Sequence, residues 1–265
     1  MDENVKQLSQ QIVTKIDRKV RSTIKKDGHK LGKTVMLGAD GTPTKYIDKI
    51  AEDVAVKTIK KSKISINLLS EEIGFIDNGG KYTIVLDPVD GTRNLYRGIP
   101  FYAISLGIGS SVLTDVSYGI VKNIATGDIF VAEKGYGAFL NNQQFFVPDV
   151  PATDLLLSLT LGKNIDSVTR DLSQRYVVRS LGCAALEMCM VATGALDGYI
   201  VGKDFMRVTD IAASTLILRE AGGHIVTFNN ESLEMSLTLD ERVGFIAAGS
   251  QTLINTILAK SKGLK

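Results

Sequence analysis

Asp87-Pro88-Val89-Asp90-Gly91-Thr92 sets two carboxylates, a rigid residue, a glycine and a hydroxyl directly after the apolar run Ile84-Val85-Leu86. That run reads as the end of a buried strand. Pro88 has no N–H to give a central ladder, so the chain is expected to turn at Asp87. The turn aims both acids at one small volume. Two carboxylates that close repel each other and share a proton unless a cation lies between them. A hard divalent ion such as magnesium relieves the repulsion, because it takes oxygen ligands and leaves room for phosphate and water. Taken alone, the six residues also read as an acidic surface turn.

The 265 residues suffice for a substantial core and for two subdomains. A content of 44% hydrophobic and 23% charged residues describes an ordinary globular protein. Thirty-one Lys and Arg against twenty-nine Asp and Glu leave a net charge of +2, too balanced for a nucleic-acid partner. Lys15 to Lys33 is locally basic and reads as a solvated helix and loop. Met1 to Lys6 is polar, with no apolar leader behind it. Gly98 to Thr114, the longest uncharged stretch, carries Pro100 and reads as sheet rather than a membrane span. Cys183 and Cys189 offer no disulfide framework, and His29 and His224 are too few for a zinc site built on several histidines. A cytoplasmic enzyme without nucleic-acid or membrane partners is expected.

Leu8, Ile12, Ile16 and Val20 recur every four residues and predict a long amphipathic first helix. Gly28, Gly32, Gly38 and Gly41 then mark a flexible segment, and a second helix is expected from Tyr46 to about Lys61. Strands are expected over Ile64–Leu69 and Tyr82–Leu86, with a turn from Gly74 to Lys81 between them. Tyr102–Ile108, Val116–Val121, Asp128–Glu133 and a piece near Phe139 follow as hairpin-like strands. Val147 to Thr153, with Pro148 and Pro151, marks a boundary between subdomains 1–148 and 149–265. Beyond it, strands are expected over Leu155–Leu161, Tyr176–Arg179, Leu196–Val201, His224–Thr227 and Val243–Ala247. Helices are expected over Ala184–Thr193, Thr209–Ala221 and Thr252–Lys260. Helical and sheet segments alternate in blocks, which predicts a layered α+β protein.

Acidic segments recur at element ends. Glu71 and Glu72 close one strand and Asp87 and Asp90 the next, while Asp48 and Asp210 lie in first turns of helices. Carboxylates at helix starts are ordinary capping devices. Two neighbouring strands ending in acids are less expected, because ligand sites favour the carboxyl ends of strands. Asp87 and Asp90 would bracket magnesium ions, with Glu71 and Asp210 completing the ion positions and the Val89 carbonyl adding an oxygen. Gly91 and Thr92 open a helix whose free N–H groups attract phosphate. Thr92 has a hydroxyl near the attacking water, and Asp48, if the fold brings it close, accepts the hydroxyl proton.

Asp87-Pro88-Val89-Asp90-Gly91-Thr92, with Asn94 beyond it, resembles the first signature of the inositol monophosphatase family. Ser70-Glu71-Glu72 resembles the family's upstream acidic motif. Thr209-Asp210-Ile211-Ala212-Ala213, followed by Glu220-Ala221-Gly222-Gly223, resembles its C-terminal signature. The resemblance spans nearly the whole chain. It implies a layered αβαβα sandwich of the sugar-phosphatase type, usually homodimeric. The 1–148 subdomain would carry most metal ligands, and 149–265 would complete the metal and substrate site. It assigns Glu71, Asp87, Asp90 and Asp210 as magnesium ligands through their side chains and Val89 through its carbonyl, with Glu72 beside them. Asp48 and Thr92 match the pair that activates water, Glu71 lies at the same catalytic centre, and attack proceeds without a phosphoenzyme. Two or three Mg2+ per site are implied, with Mn2+ as a substitute. Gly38 to Thr44 resembles the mobile loop of archaeal members, which makes Asp40 a candidate at a third ion; Asp40-Gly41 is equally a plain turn signal.

Asp90, Gly91, Thr92 and Asp210 are expected to meet the substrate phosphate. Arg179 and Ser180 resemble the stretch bordering the substrate. Lys203 and Arg207 either meet a second phosphate or face solvent. Glu187, inside an apolar helix, is expected to be paired or to reach a polar cleft. The chain resembles the archaeal class that hydrolyses both fructose 1,6-bisphosphate and inositol 1-phosphate. Hydrolysis of 3′-phosphoadenosine 5′-phosphate is the alternative enzyme, requiring an adenine platform that the sequence does not mark. A metal-binding regulatory protein without turnover is the alternative from another class.

Overall fold

The stripe Leu8, Ile12, Ile16 and Val20 forms the buried face of a helix, Glu3–Asp27 (α1). Asp2 caps it, its carboxylate accepting the Asn4 N–H at 2.8 Å. A computed structural model describes residues 1–148, 154–160 and 167–262. After α1 come Thr34–Leu37 (β1), Pro43–Lys45 (β2), the helix Tyr46–Ser62 (α2), and the strands Asn67–Ser70 (β3), Gly74–Ile76 (β4) and Thr83–Asp90 (β5). A short helix, Thr92–Arg97 (α3), leads to Ala103–Gly109 (β6), Tyr118–Asn123 (β7), Ile129–Glu133 (β8), Gly137–Leu140 (β9) and Gln143–Phe145 (β10). Then follow Leu156–Thr160 (β11), Ser167–Arg175 (α4), Val177–Arg179 (β12), Ala184–Ala192 (α5) and Gly198–Met206 (β13). Val208–Glu220 (α6), His224–Val226 (β14), Val243–Ala248 (β15) and Gln251–Lys262 (α7) end the chain.

Eight strands in the order β10-β9-β8-β7-β6-β5-β3-β4 form one sheet, antiparallel except for the β3–β5 pair. Five strands in the order β12-β11-β13-β15-β14 form a second, with β12, β11 and β13 parallel. Ile12, Ile16, Ile47 and Ala51 from α1 and α2 pack on Ile84, Leu86, Ile104 and Leu106 of the first sheet. On its other face Val85 and Val121 meet Met188 of α5 and Ile211 of α6, which also pack on Tyr199 and Phe245 of the second sheet. Leu172 of α4 and Leu253 and Ile254 of α7 cover the outer face of that sheet at Ile200 and Ile246. The expected αβαβα order is observed. A strand covered on both faces has no polar side, which is why all eight positions of β5 are buried and its sequence reads as a run.

Pro88 does not end its strand as expected. β5 continues to Asp90, and against β6 Asp87 pairs with Ser105 while Asp90 pairs with Ala103, three steps facing two. This bulge accommodates the missing N–H and re-aims the acids that flank it. The turn comes at Gly91, with φ of 81°, where a Cβ would lie 2.9 Å from the Phe101 carbonyl oxygen. Other differences concern short elements. The segment expected to be flexible pairs as β1–β2, the expected Gly74–Lys81 turn begins with β4, and α4 has too little apolar pattern to announce itself. The expected boundary at 148/149 falls beside residues 149–153, and Leu161 follows β11; both lie outside the described residues.

Candidate active site

The parallel pairing of β3 with β5 brings their carboxyl ends to one edge, with Ser70 opposite Leu86. Glu71, just past the end of β3, and Asp87, just past the last β5 residue paired with β3, therefore lie side by side near the carboxyl ends of the two strands. α6 packs between the two sheets, and in its first turn Asp210 accepts the Arg207 backbone N–H at 3.1 Å. Its close approach to the sheet depends on small residues: a Cβ on Gly119 would lie 2.9 Å from the Ala213 carbonyl oxygen. Glu71, Asp87, Asp90, Thr92, Arg207 and Asp210 line a shared cavity of about 390 Å³.

Thr92 is the first residue of α3, and its hydroxyl lies 2.8 Å from Asp48 Oδ1 and 2.7 Å from the Val89 carbonyl oxygen. The partnership left open by the sequence is thus present in the fold. Asp48 is held from behind by the Lys45 N–H at 3.3 Å. Burial pushes its carboxyl up to about 7; Thr92 and the Lys45 N–H resist, while Glu72 and Glu52 add to the rise. Glu52 escaped the sequence reading. It lies one helical turn beyond Asp48, is hydrogen-bonded by Ser70, and is itself raised to about 7, first by burial. Its spacing from Asp48 and its place on a buried helix face were the available signals.

Burial, then Glu71, Asp90, Asp210 and Asp48, raise Asp87 well above the carboxylate range. Glu71, Asp90 and Asp210 are also raised, each by burial first. These acids cannot all ionise together without added positive charge. Their donors are oxygen, so Glu71, Asp87, Asp90, Asp210 and the Val89 carbonyl suit a hard divalent ion such as magnesium. The hydroxyls of Ser105, opposite Asp87, and Thr209, beside Asp210, are buried without hydrogen-bond partners among the described residues. Among those residues no three Asp, Glu, His or Cys side chains are placed to hold a metal ion as they stand. Two of the oxygens face elsewhere: Glu71 Oε2 meets Arg207 Nη1 at 2.5 Å, and Asp90 Oδ2 accepts the Ala185 N–H at 2.7 Å and the Cys183 thiol at 3.2 Å.

Arg207 lines the cavity, and its guanidinium is engaged by acids. It is half-withdrawn among carboxylates, with Nη2 2.6 Å from Asp40 Oδ2. Burial draws its pKa down, yet Asp210, Glu71, Asp40 and Asp87 together raise it above the ordinary guanidinium value. Asp40 reaches the site through this contact and through its N–H to the Glu71 carbonyl at 3.1 Å, and it is not among the residues that line the cavity. Glu72 is turned aside and held by the Thr44 hydroxyl. Gly91 and Ser180 line the cavity, whereas Arg179, on the edge strand β12, is exposed and donates to the Val178 carbonyl at 2.9 Å. Lys203 belongs to β13, but its side chain lies outside the described residues.

The wall opposite the acids is fixed by two residues. Glu187 accepts the N–H groups of Leu181 at 3.0 Å and Cys183 at 3.3 Å and the Ser158 hydroxyl, so the expected paired acid is found. Asn94 donates to the carbonyls of Phe101 at 2.9 Å and Leu181 at 2.7 Å, tying α3 to the segment before α5.

The chain resembles known proteins over most of its length. The chain is 36% identical over 234 residues to a fructose-1,6-bisphosphatase/inositol-1-monophosphatase of Thermococcus kodakarensis, covering 88% of each. It is 39% identical over 243 residues to a bifunctional NADP phosphatase/NAD kinase of Methanococcus maripaludis, covering 83% of this chain and 43% of that protein. A crystal structure of an inositol monophosphatase-fructose 1,6 bisphosphatase superposes with a TM-score of 0.83 at 32% identity, over 98% of this chain and 99% of the other. Residues 1–263 match the model of the inositol monophosphatase family, and the chain belongs to that family.

Proposed function

We propose that the protein is a magnesium-dependent phosphatase that hydrolyses fructose 1,6-bisphosphate to fructose 6-phosphate and inositol 1-phosphate to inositol. The observation that carries this reading is the Thr92 hydroxyl, 2.8 Å from Asp48 Oδ1 at the wall of a cavity lined by Glu71, Asp87, Asp90 and Asp210. Divalent cations held by those four acids and the Val89 carbonyl would draw charge from the phosphoryl oxygens. Thr92 orients the attacking water by accepting one of its protons while passing its own to Asp48. The water oxygen bonds to phosphorus as the bond to the sugar oxygen breaks, and that oxygen takes a proton from solvent. Burial raises the Asp48 carboxyl to about 7 in the cation-free site, and divalent cations held beside it would favour its charged, proton-accepting form. Gly91 and Thr92 present the phosphate side of the cavity, and Ser180 faces the sugar. Two ions, or three with Asp40 recruited, manganese in place of magnesium, subdomains at 1–148 and 149–265, and a cytoplasmic homodimer complete the proposal. Among the described residues no helix is long and apolar enough to cross a membrane.

A nucleotide substrate is the second reading, favoured by Phe205. This residue is 48% exposed at the cavity, and its ring offers a base the platform that the sequence did not mark. Identity to the NADP phosphatase/NAD kinase supports the same class. Phosphate release with magnesium should be measured from fructose 1,6-bisphosphate, inositol 1-phosphate, 3′-phosphoadenosine 5′-phosphate and NADP. Turnover of the first two is expected. Release from the nucleotides alone would transfer the assignment to them, and none from any would end the phosphatase reading.

A further inference from the structure

Arg207 sits where the carboxylates call for a cation. Nη1 lies 2.5 Å from Glu71 Oε2 and 3.9 Å from Asp210 Oδ1, and Nη2 lies 2.6 Å from Asp40 Oδ2. The three acids come from the end of β3, the first turn of α6 and the loop between β1 and β2. That loop is laid against the first of them by its backbone: the Ala39 N–H donates to the Glu72 carbonyl and the Asp40 N–H to the Glu71 carbonyl, both at 3.1 Å. Asp40 is presented to the guanidinium with its side chain fully buried, and the Thr42 N–H and hydroxyl hold its Oδ1 at 2.9 and 2.8 Å. The clamp is incomplete on the arginine's side, because Nε is buried with no hydrogen-bond partner among the described residues. Buried donors are nearly always satisfied, so the acids do not use the full hydrogen-bonding capacity of the guanidinium.

Resting on the reading that Glu71 and Asp210 hold divalent cations, we infer that Arg207 is an internal counter-cation that competes with a divalent ion for Glu71 and Asp40. An ion entering there displaces the guanidinium, because both need the same carboxylate oxygens. Displacement unties the 38–42 loop from α6 and frees the arginine's donors for an anion. Arg207 is thus a positioning residue that sets cation affinity and loop attachment, not a group acting on the phosphoryl centre.

The test is calorimetric titration of manganese, without substrate, into the wild type and Arg207→Met. Loss of the opposing charge should tighten manganese binding at least about tenfold. Equal or weaker binding by Arg207→Met would overturn the inference. Should that variant fail to fold, nitrogen-15 spectra of the wild-type arginine side chains decide: magnesium should shift the Arg207 signals and speed exchange of its protons, and signals unmoved at saturating magnesium refute displacement. Absence of cation binding by both proteins would bring down the cation site and the counter-cation together, whereas retained binding of unchanged affinity removes the counter-cation alone.

Discussion

Asp48→Asn separates a cost in stability from a gain in chemistry. Asp48 is 4% exposed, and its carboxyl is displaced from 3.8 to about 7, mainly by burial. Between those values the folded chain holds a proton that the unfolded chain has released. The charged form is the one the fold disfavours, so stability contributed by this site falls as pH rises through the window and is flat above it. Three units at about 1.4 kcal/mol each set the loss at no more than about 4 kcal/mol. Asn cannot ionise and escapes that loss. It keeps an oxygen for Thr92, while its NH2 cannot accept the Lys45 N–H, and losing that bond costs about 1 kcal/mol. Urea unfolding in EDTA should therefore find the variant slightly less stable than wild type near pH 4 and more stable near pH 8, the difference growing by about 2 to 4 kcal/mol. Its phosphate release should fall about 100- to 10,000-fold, the range for loss of a general base. A stability difference independent of pH, or one that shrinks as pH rises, would refute the reasoning about burial. Retained turnover would refute the proton path.

Other perturbations probe the supports of the site. Glu187→Ala strands the N–H groups of Leu181 and Cys183 and should destabilise the chain by about 3 kcal/mol in urea, and a loss below about 0.5 kcal/mol would show that this anchor is dispensable. Gly119→Ala places a Cβ 2.9 Å from the Ala213 carbonyl oxygen; it should cost about 1 to 3 kcal/mol and lower phosphate release by moving Asp210, whereas wild-type values in both would refute the packing argument. Magnesium should raise the melting temperature more near pH 8 than near pH 5, since Glu71, Asp87 and Asp90 are all raised and must release protons to take a cation. A larger rise at the lower pH would contradict that sign.

Local patterns announced most of the frame. The four-residue stripe of α1 was legible because one face of a surface helix must be apolar, and β5 because a doubly covered strand must be apolar throughout. The Asp87–Thr92 segment announced the site, since the chemistry is concentrated in adjacent residues. The continuation of β5 past Pro88 was not legible, because the bulge is decided by pairing with β6. Nor was the fate of Arg207. Its partners Glu71 and Asp40 lie more than a hundred residues away, and nothing local distinguishes a guanidinium free for phosphate from one already clasped by acids. Glu72 and Asp40 show the same limit: spacing placed both acids near the site, while Thr44 and Arg207 determine where their carboxylates point.

The central claim is tested most directly by phosphate release from inositol 1-phosphate as magnesium is titrated into the wild type and Asp90→Asn, with EDTA as the starting point. The wild type should be silent in EDTA and rise to a plateau with magnesium. The variant, lacking one of the four acids, should remain at least about a hundredfold lower at any concentration. Equal release in EDTA, or an Asp90→Asn plateau matching the wild type, would contradict the account.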